Sequence, residues 1–270
     1  MSGAQGGRAT LIREGAVAWL TFSNPDAGLM DPAMEAQLLA AIEEVEADET
    51  LRVCVLTGGQ PDVFIRHYDL KTLAERAEFM REKGYEFTAD RPVPEGGVHT
   101  AMRRMEAGET IYLAALNGTA MGGGFELALA CDIRLVQSGD HQFGLPEVNL
   151  GLLPGAGGTQ RLPRLIGPGR ALSMMLTGRT LSPTGMNQLG LASEVTDDVA
   201  ALARGWADRL AAKPPLAVRH IKRLAQGEFE DGWGAERSLF CDLMVSDDAA
   251  RLLAEGAAGD RIITDDPEAP

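Results

Sequence analysis

Two glutamates carry the clearest chemical signal in this chain. Glu126 interrupts an otherwise apolar run, Phe125 to Cys131, directly behind three glycines, Gly122-Gly123-Gly124. Glu147 follows Pro146 at the end of Phe143-Gly144-Leu145-Pro146-Glu147. A buried carboxylate is costly unless it is paired or used for chemistry. Two carboxylates brought close do not both stay ionised, so one becomes an acid and the other a base. Spacing alone leaves Glu147 as a solvated loop residue, and does not bring the two together.

The elements around Glu126 must position it. Ile111 to Leu116 reads as a buried strand, Asn117-Gly118 turns it, and a buried helix begins near Phe125 with Glu126 in its first turn. A strand–glycine–helix junction presents backbone N–H groups that lack an intrahelical partner. The helix dipole adds partial positive charge there, and the glycines remove side chains that would crowd a ligand. Such a place can hold a developing oxyanion. Three other readings fit the same residues. The turn could serve tight packing alone, or Glu126 could cap its own helix. Phosphate binding is the third, although GxxxxGK[ST] is absent and no GxGxxG opens a helix here.

Asn117-Gly118-Thr119-Ala120-Met121-Gly122-Gly123-Gly124-Phe125-Glu126-Leu127-Ala128-Leu129-Ala130-Cys131-Asp132 resembles the signature of the enoyl-CoA hydratase/isomerase (crotonase) superfamily. Phe143 to Glu147 continues the resemblance, as does Gly151-Leu152-Leu153-Pro154-Gly155-Ala156-Gly157-Gly158-Thr159-Gln160-Arg161-Leu162. It covers about residues 10 to 225 and fades toward the C-terminus. It implies an α/β fold, a crotonase-like spiral of ββα units with a C-terminal helical region. The expected division is 1–196, the core with an acyl-CoA site, and 197–270, a helical region for oligomer packing with an acidic tail. It implies a thioester enolate held by two backbone N–H groups, one from Gly123. It also puts Glu126 and Glu147 where hydratases carry their catalytic glutamates. The implied partners are an acyl-CoA substrate, with coenzyme A as part of that substrate and no separate cofactor or metal, and further copies of the chain as a homotrimer or dimer of trimers.

The sharpest departure is at Phe64-Ile65-Arg66-His67-Tyr68-Asp69-Leu70. In the family this segment reads like FSAGADL, and the residue after its glycine gives the second oxyanion N–H, which falls at Tyr68. Arg66-His67-Tyr68 stands where Ala-Gly-Ala is usual. A backbone donor survives a change of side chain, but a glycine lost at His67 matters if that backbone needs a positive φ. Arg66 and His67 are therefore candidate pocket residues. They could reshape the pocket for an unusual acyl group, add a donor or acid, or close the site. Histidine is the side-chain type whose charge changes nearest neutral pH, which is why a histidine at 67 enters as a candidate donor or acid.

Composition bounds the rest. The chain has 270 residues, 45% apolar, with 32 glycines and 5% aromatics, which suits one large α/β core or a core with a helical appendage. A formal net charge of −14 argues against nucleic-acid binding. It also means that CoA phosphates need a local basic cluster. Lys222, Arg223 and Arg261 are weak candidates, because the C-terminal stretch Glu255 to Arg261 lacks the phenylalanine and basic pattern common in the family. Cys54, Cys131 and Cys241 are scattered, which fits a reduced cytoplasm. Neither a basic-then-apolar leader nor an apolar run of about 18–20 residues is present, so a cytoplasmic protein away from the membrane is expected.

Along the chain, 1–8 is expected to be disordered. Thr10–Ile12 and Val17–Phe22 form a hairpin. Asp31-Pro32 caps a helix with Met34, Leu38, Leu39, Ile42 and Val45 on one face. A helix is expected over 71–87, with Leu73, Ala77 and Met80 sharing a face. A Pro/Gly loop follows over 89–97, and another helix begins at His99, with 64–108 together expected to form a flap over the site. Gly155 to Gln160 reads as a turn opening a structural helix, and Met174, Met175 and Leu176 as core. After 197 helical periods dominate: Leu202, Trp206 and Leu210, then Val218, Ile221 and Leu224 beyond Pro214-Pro215.

Overall fold

In the computed structural model, which describes residues 6–24, 28–227 and 229–259, the chain opens with an antiparallel hairpin. Its strands are β1 (Arg8–Glu14) and β2 (Val17–Ser23), with Gly15 turning at φ 63°. Helix α1 (Pro32–Glu46) starts where its cap predicts. The Asp31 side chain accepts from Met34 N, Pro32 is the first helical residue, and Met34, Leu38, Ile42 and Val45 are buried. Then follow β3 (Val53–Gly58), β4 (Asp62–Ile65), α2 (Leu70–Glu82), α3 (Gly97–Ala107), β5 (Ile111–Leu116) and β6 (Gly118–Met121). Next come α4 (Gly123–Ala130), β7 (Ile133–Gln137), β8 (Phe143–Gly144) and a 3₁₀ turn (Glu147–Leu150). After these lie α5 (Gly158–Ile166), α6 (Pro168–Thr177), β9 (Thr180–Leu181), α7 (Pro183–Gln188), β10 (Glu194–Thr196) and α8 (Val199–Ala211). The last helices are α9 (Pro215–Ala225), α10 (Gly232–Met244) and α11 (Asp247–Ala258).

Two sheets organise these strands, one ordered β1-β2-β3-β5-β7-β10 and the other β4-β6-β8-β9. Each of the pairs β3–β4, β5–β6 and β7–β8 sends its first strand to the first sheet and its second strand to the other. All the neighbours among them pair in parallel. The chain therefore advances one place in both sheets with every repeat, which is the expected spiral. Where it crosses between sheets two backbones touch. A β-carbon on Gly58 would lie 1.9 Å from Val63 O, and one on Gly118 would lie 1.8 Å from the Asp62 carbonyl carbon. The Asn117 side chain clamps the first crossing, accepting from Gly58 N at 2.9 Å and donating to Gln60 O at 2.8 Å.

The core between the layers holds Leu20, Phe22, Leu38, Leu56, Tyr112, Leu116, Phe125 and Phe143. Each such side chain contributes roughly 1.5–3 kcal/mol on burial. The compact units are Met1–Ala211 and Ala212–Pro270, whereas the sequence expectation divided the chain at 196/197. Helix α8 packs on β3, β5 and β7 and buries Val199, Ala203 and Ala207. Leu202, Trp206 and Leu210 flank that stripe, half-buried.

Several local expectations need correcting. Helix α2 ends at Glu82 because Gly84, at φ 62°, turns the chain out of the helix, and α2 buries none of its residues. Leu176 is 65% exposed, while Met174 is core. In α9 the expected face is out of phase: Ile221 is exposed and His220 and Lys222 are buried, His220 facing Asp242 of α10 at 3.2 Å. Within 1–8, Gly7 donates to Asp31 Oδ2 at 2.6 Å and Arg8 opens β1. Residues 1–5, Pro25 and Asp26 at the end of the hairpin, Arg261 and the acidic tail lie outside the described residues. Among the described residues no helix is long and apolar enough to cross a membrane.

Candidate active site

Gly122 makes the turn from β6 into α4. Its φ of 52° and ψ of −129° suit only glycine, and its amide donates to Gly144 O at 2.9 Å, tying α4 to β8. Gly124 must also be bare, since a β-carbon there would lie 2.2 Å from Ile65 O. This close packing brings the 64–69 segment against the start of α4. A β-carbon on Gly123 would be 4.0 Å from Tyr68 Cβ. One on Gly122 would be 3.9 Å from His67 Cβ and 3.1 Å from Glu147 Oε1. Gly122, Gly123, His67, Tyr68 and Glu147 therefore surround one small space. Arg66 is exposed, and its backbone is held by Gly28 O and Met121 N.

The two amides proposed as oxyanion donors are the ones left over by the local hydrogen bonding. Met30 N donates to His67 O at 2.9 Å and Asp69 N to Met30 O at 2.8 Å, so the Tyr68 N–H faces away from Met30. Gly123 N is the first amide of α4 and has no preceding turn to bond. Among the described residues neither amide has a hydrogen-bond partner. His67 is not in the left-handed region, the one non-glycine residue with positive φ among those described being Asp62. The lost glycine is therefore accommodated without strain at that position. The His67 ring donates from Nδ1 to Tyr68 O at 2.8 Å, which leaves Nε2 as the nitrogen available to a ligand.

Glu126 is 2% exposed. It does not cap its own helix. Its Oε1 accepts from Ala156 N and Gly158 N, both at 2.7 Å, and so caps α5 instead. The Gly155–Gln160 turn, which reads from sequence as structural, is thus the cradle of this carboxylate. Gly158 must be glycine, because a β-carbon there would lie 2.7 Å from Leu145 Cδ1 and 3.0 Å from Glu126 Oε1. Arg161 braces the cradle, with Nη1 donating to Ala156 O at 2.7 Å while Nε and Nη2 grip Glu106 at 2.6 and 2.8 Å. His99 of α3 adds a bond from Nε2 to Gly155 O at 2.6 Å. Sequence reasoning missed Ala156, Gly158, Arg161 and His99 because the key donors are main-chain amides, which carry no side-chain signature.

Burial raises the Glu126 pKa, opposed by the two amides and by Arg161 and His99. Burial also raises Glu147, to about 7, and the neighbouring Glu126 charge adds to the rise. Glu147 Oε2 is buried and has no partner among the described residues. The two carboxyls thus differ in kind. Glu126 sits at a helix N-terminus with two N–H donors that favour its charged form, while Glu147 has little to compensate a charge. Among the described residues no group of three or more His, Cys, Asp or Glu side chains is arranged to hold a metal ion.

The sequence pattern of the enoyl-CoA hydratase/isomerase family matches residues 13–246. This chain belongs to that family. It is 35% identical over 243 residues to the 2,3-dehydroadipyl-CoA hydratase of Escherichia coli K12, covering 87% of this chain and 90% of the relative. It is 36% identical over 213 residues to the (E)-benzylidenesuccinyl-CoA hydratase of Thauera aromatica, covering 77% and 78%. The solved enoyl-CoA hydratase of Bacillus anthracis superposes with a TM-score of 0.80 at 28% identity, over 93% of this chain and 96% of that one. This chain spans about a third of the length of the fatty acid oxidation complex alpha subunits of Shewanella that it matches at 32% identity over 255 residues. The spiral of two sheets described above is the crotonase fold of this family.

Proposed function

We propose that this family member hydrates a 2-enoyl-CoA to a 3-hydroxyacyl-CoA. The observation that carries the reading is the pair of unlike carboxyls beside two unbonded amides: Glu126 accepting from Ala156 N and Gly158 N, which favour its charged form, and half-buried Glu147 with a buried, unpartnered oxygen and a pKa raised to about 7. The thioester oxygen accepts from Tyr68 N and Gly123 N, which draws electron density from the conjugated alkene. Removing one such donor typically costs about 10²–10³ in rate. Glu126 takes a proton from water as its oxygen bonds C3, the electron pair of the alkene moves into the enolate, and Glu147 delivers a proton to C2. One proton is gained by the pair and one is lost. Transfer from Glu126 to Glu147 then restores the starting state. The residues call for no metal or separate cofactor, coenzyme A arriving with the substrate.

The purified protein, mixed with crotonyl-CoA and with longer, aromatic, dehydroadipyl and benzylidenesuccinyl thioesters, is expected to consume the conjugated absorbance of at least one. Glu147→Gln and Glu126→Gln are each expected to remove most of that activity, and full activity in either would sink the assignment. A second reading, another CoA-thioester reaction such as double-bond isomerisation, hydrolysis or dehalogenation, is favoured by His67 and Glu147 both flanking Gly122 and is separated by product analysis. Acyl-CoA binding with no turnover on any thioester would instead support a non-catalytic relative. The same reading includes a cytoplasmic setting and assembly as a homotrimer or dimer of trimers. Exposed Leu165, Leu172 and Leu176 on α5 and α6 support association, and light scattering of the purified protein tests it.

A further inference from the structure

Tyr68 carries a hydroxyl that the proposed chemistry does not use. The residue is half-buried against the core, and its Oη donates to Glu35 Oε2 on α1 at 3.0 Å, with the Arg76 guanidinium carbon 5.6 Å from its ring centre. Burial and the Glu35 bond push its pKa up to about 12, so it remains a donor across the working range. The other oxygen of Glu35, Oε1, accepts from Val98 N at 3.1 Å, in the first turn of α3, where amides lack an intrahelical partner. No side chain intervenes at that junction: β-carbons on Gly96 and Gly97 would lie 3.4 and 3.5 Å from the same Oε1. Helix α3 in turn bears His99, bonded to Gly155 O beside the Ala156 amide that holds Glu126.

One carboxylate thus connects the two halves of the site. We propose that Glu35 is a positioning residue: through the Tyr68 hydroxyl it orients the Tyr68 N–H toward the thioester oxygen, and through α3 it links that amide to the cradle of Glu126. The proposal rests on the oxyanion reading of Tyr68 and Gly123. It also accounts for a bulky residue at position 68. The Arg66, Met30 and Asp69 amides hold the segment to 28–30 along one edge, and on the other edge Met121 N reaches only as far as Arg66 O, short of the 67–68 peptide. Rotation of the 67–68 peptide about the first edge would swing the free N–H away from Gly123, and a side chain anchored 33 residues away in sequence opposes that rotation. A small residue at 68 would have no such anchor.

The test uses the full chain and carbonyl-labelled butanoyl-CoA, which has no double bond to hydrate. Infrared difference spectra report how far binding lowers the thioester carbonyl stretch, and crotonyl-CoA turnover is measured alongside. Tyr68→Phe keeps the backbone N–H and the Glu35–Val98 bond but removes the hydroxyl. It is expected to lose most of the lowering and about tenfold in kcat, with KM changed less than about threefold, a fraction of what losing the whole donor would cost. Glu35→Ala is expected to match it, Glu35→Gln to retain both readouts because an amide can accept from Val98 N and bond the hydroxyl, and Tyr68→Phe with Glu35→Ala to fall no further than either alone. Wild-type stretch and kcat in Tyr68→Phe overturn the proposal, even if its melting temperature drops. Absence of any lowering in the wild type overturns the oxyanion reading beneath it and the proposal with it.

Discussion

Glu147→Gln should make this protein more stable at alkaline pH while abolishing its activity. Burial, with the Glu126 charge adding to it, raises the Glu147 carboxyl from 4.5 to about 7. The folded state therefore holds this proton more tightly than the unfolded chain does. Well below pH 4.5 the group is protonated in both states and stability does not depend on it. As pH rises from 4.5 through 7, the unfolded chain releases this proton first, so the stability of the wild type falls, and the loss is complete once the folded state has ionised too. At 1.36 kcal/mol for each tenfold change in proton affinity, the full loss is roughly 3 kcal/mol, an upper limit because water reaching the site would screen the charge. Glutamine has no proton to lose, and it also relieves the repulsion on Glu126. Urea denaturation of both proteins at pH 5 and pH 9 measures the effect. Glu147→Gln should match the wild type within about 1 kcal/mol at pH 5 and exceed it by roughly 1–3 kcal/mol at pH 9. A stability difference that is the same at both values would refute the claim that the buried Glu147 Oε2 has no partner for a charge.

The rate should follow the same proton. kcat/KM for hydration is expected to decline above pH 7 as Glu147 ionises, with an acid limb set by Glu126, and a profile flat from pH 6 to 9 would contradict the assigned roles. Gly158→Ala places a methyl 3.0 Å from Glu126 Oε1 and 2.7 Å from Leu145 Cδ1. It is expected to lower kcat more than about tenfold and to destabilise the fold by about 1–3 kcal/mol, read by turnover and by denaturation. Arg161→Lys keeps the charge but cannot bond Glu106 and Ala156 O together. It should cost about tenfold in kcat with the fold intact by circular dichroism, and wild-type kcat would show that the Ala156 brace is dispensable.

Much of this was legible in the sequence, for reasons that differ by element. The start of α1 follows from Asp31-Pro32, since a cap and a fixed φ act within four residues. The hairpin follows from alternation about Gly15. The end of α2 was equally legible, in Gly84, but the apolar residues beyond it extend a helical period that the glycine breaks. The Glu126–Glu147 pair came from a motif, whereas its chemical asymmetry did not. That asymmetry depends on Ala156 N and Gly158 N, 30 and 32 residues away, and every amide looks alike in a sequence. The Tyr68–Glu35 bond was hidden similarly, since tyrosine and glutamate 33 residues apart give no reason to be joined. The phase of α9 was misread because His220 and Lys222, polar by type, occupy its covered face.

The crossings at Gly58 and Gly118 have a consequence for how such a protein can change. Backbone meets backbone there, so the geometry of the spiral is fixed where no side chain can be varied. Between the two crossings runs a segment of the opposite character: α2 buries nothing, and residues 83–96 are exposed throughout. Length and composition can drift in that stretch while the clamps on either side keep Tyr68 and Gly123 facing each other. An excursion exchanged between relatives from Leu70 to Gly96 should carry acyl preference with it and leave the proton chemistry behind. Substrate range in this architecture is then an interchangeable cassette, and the reaction belongs to the frame that holds it.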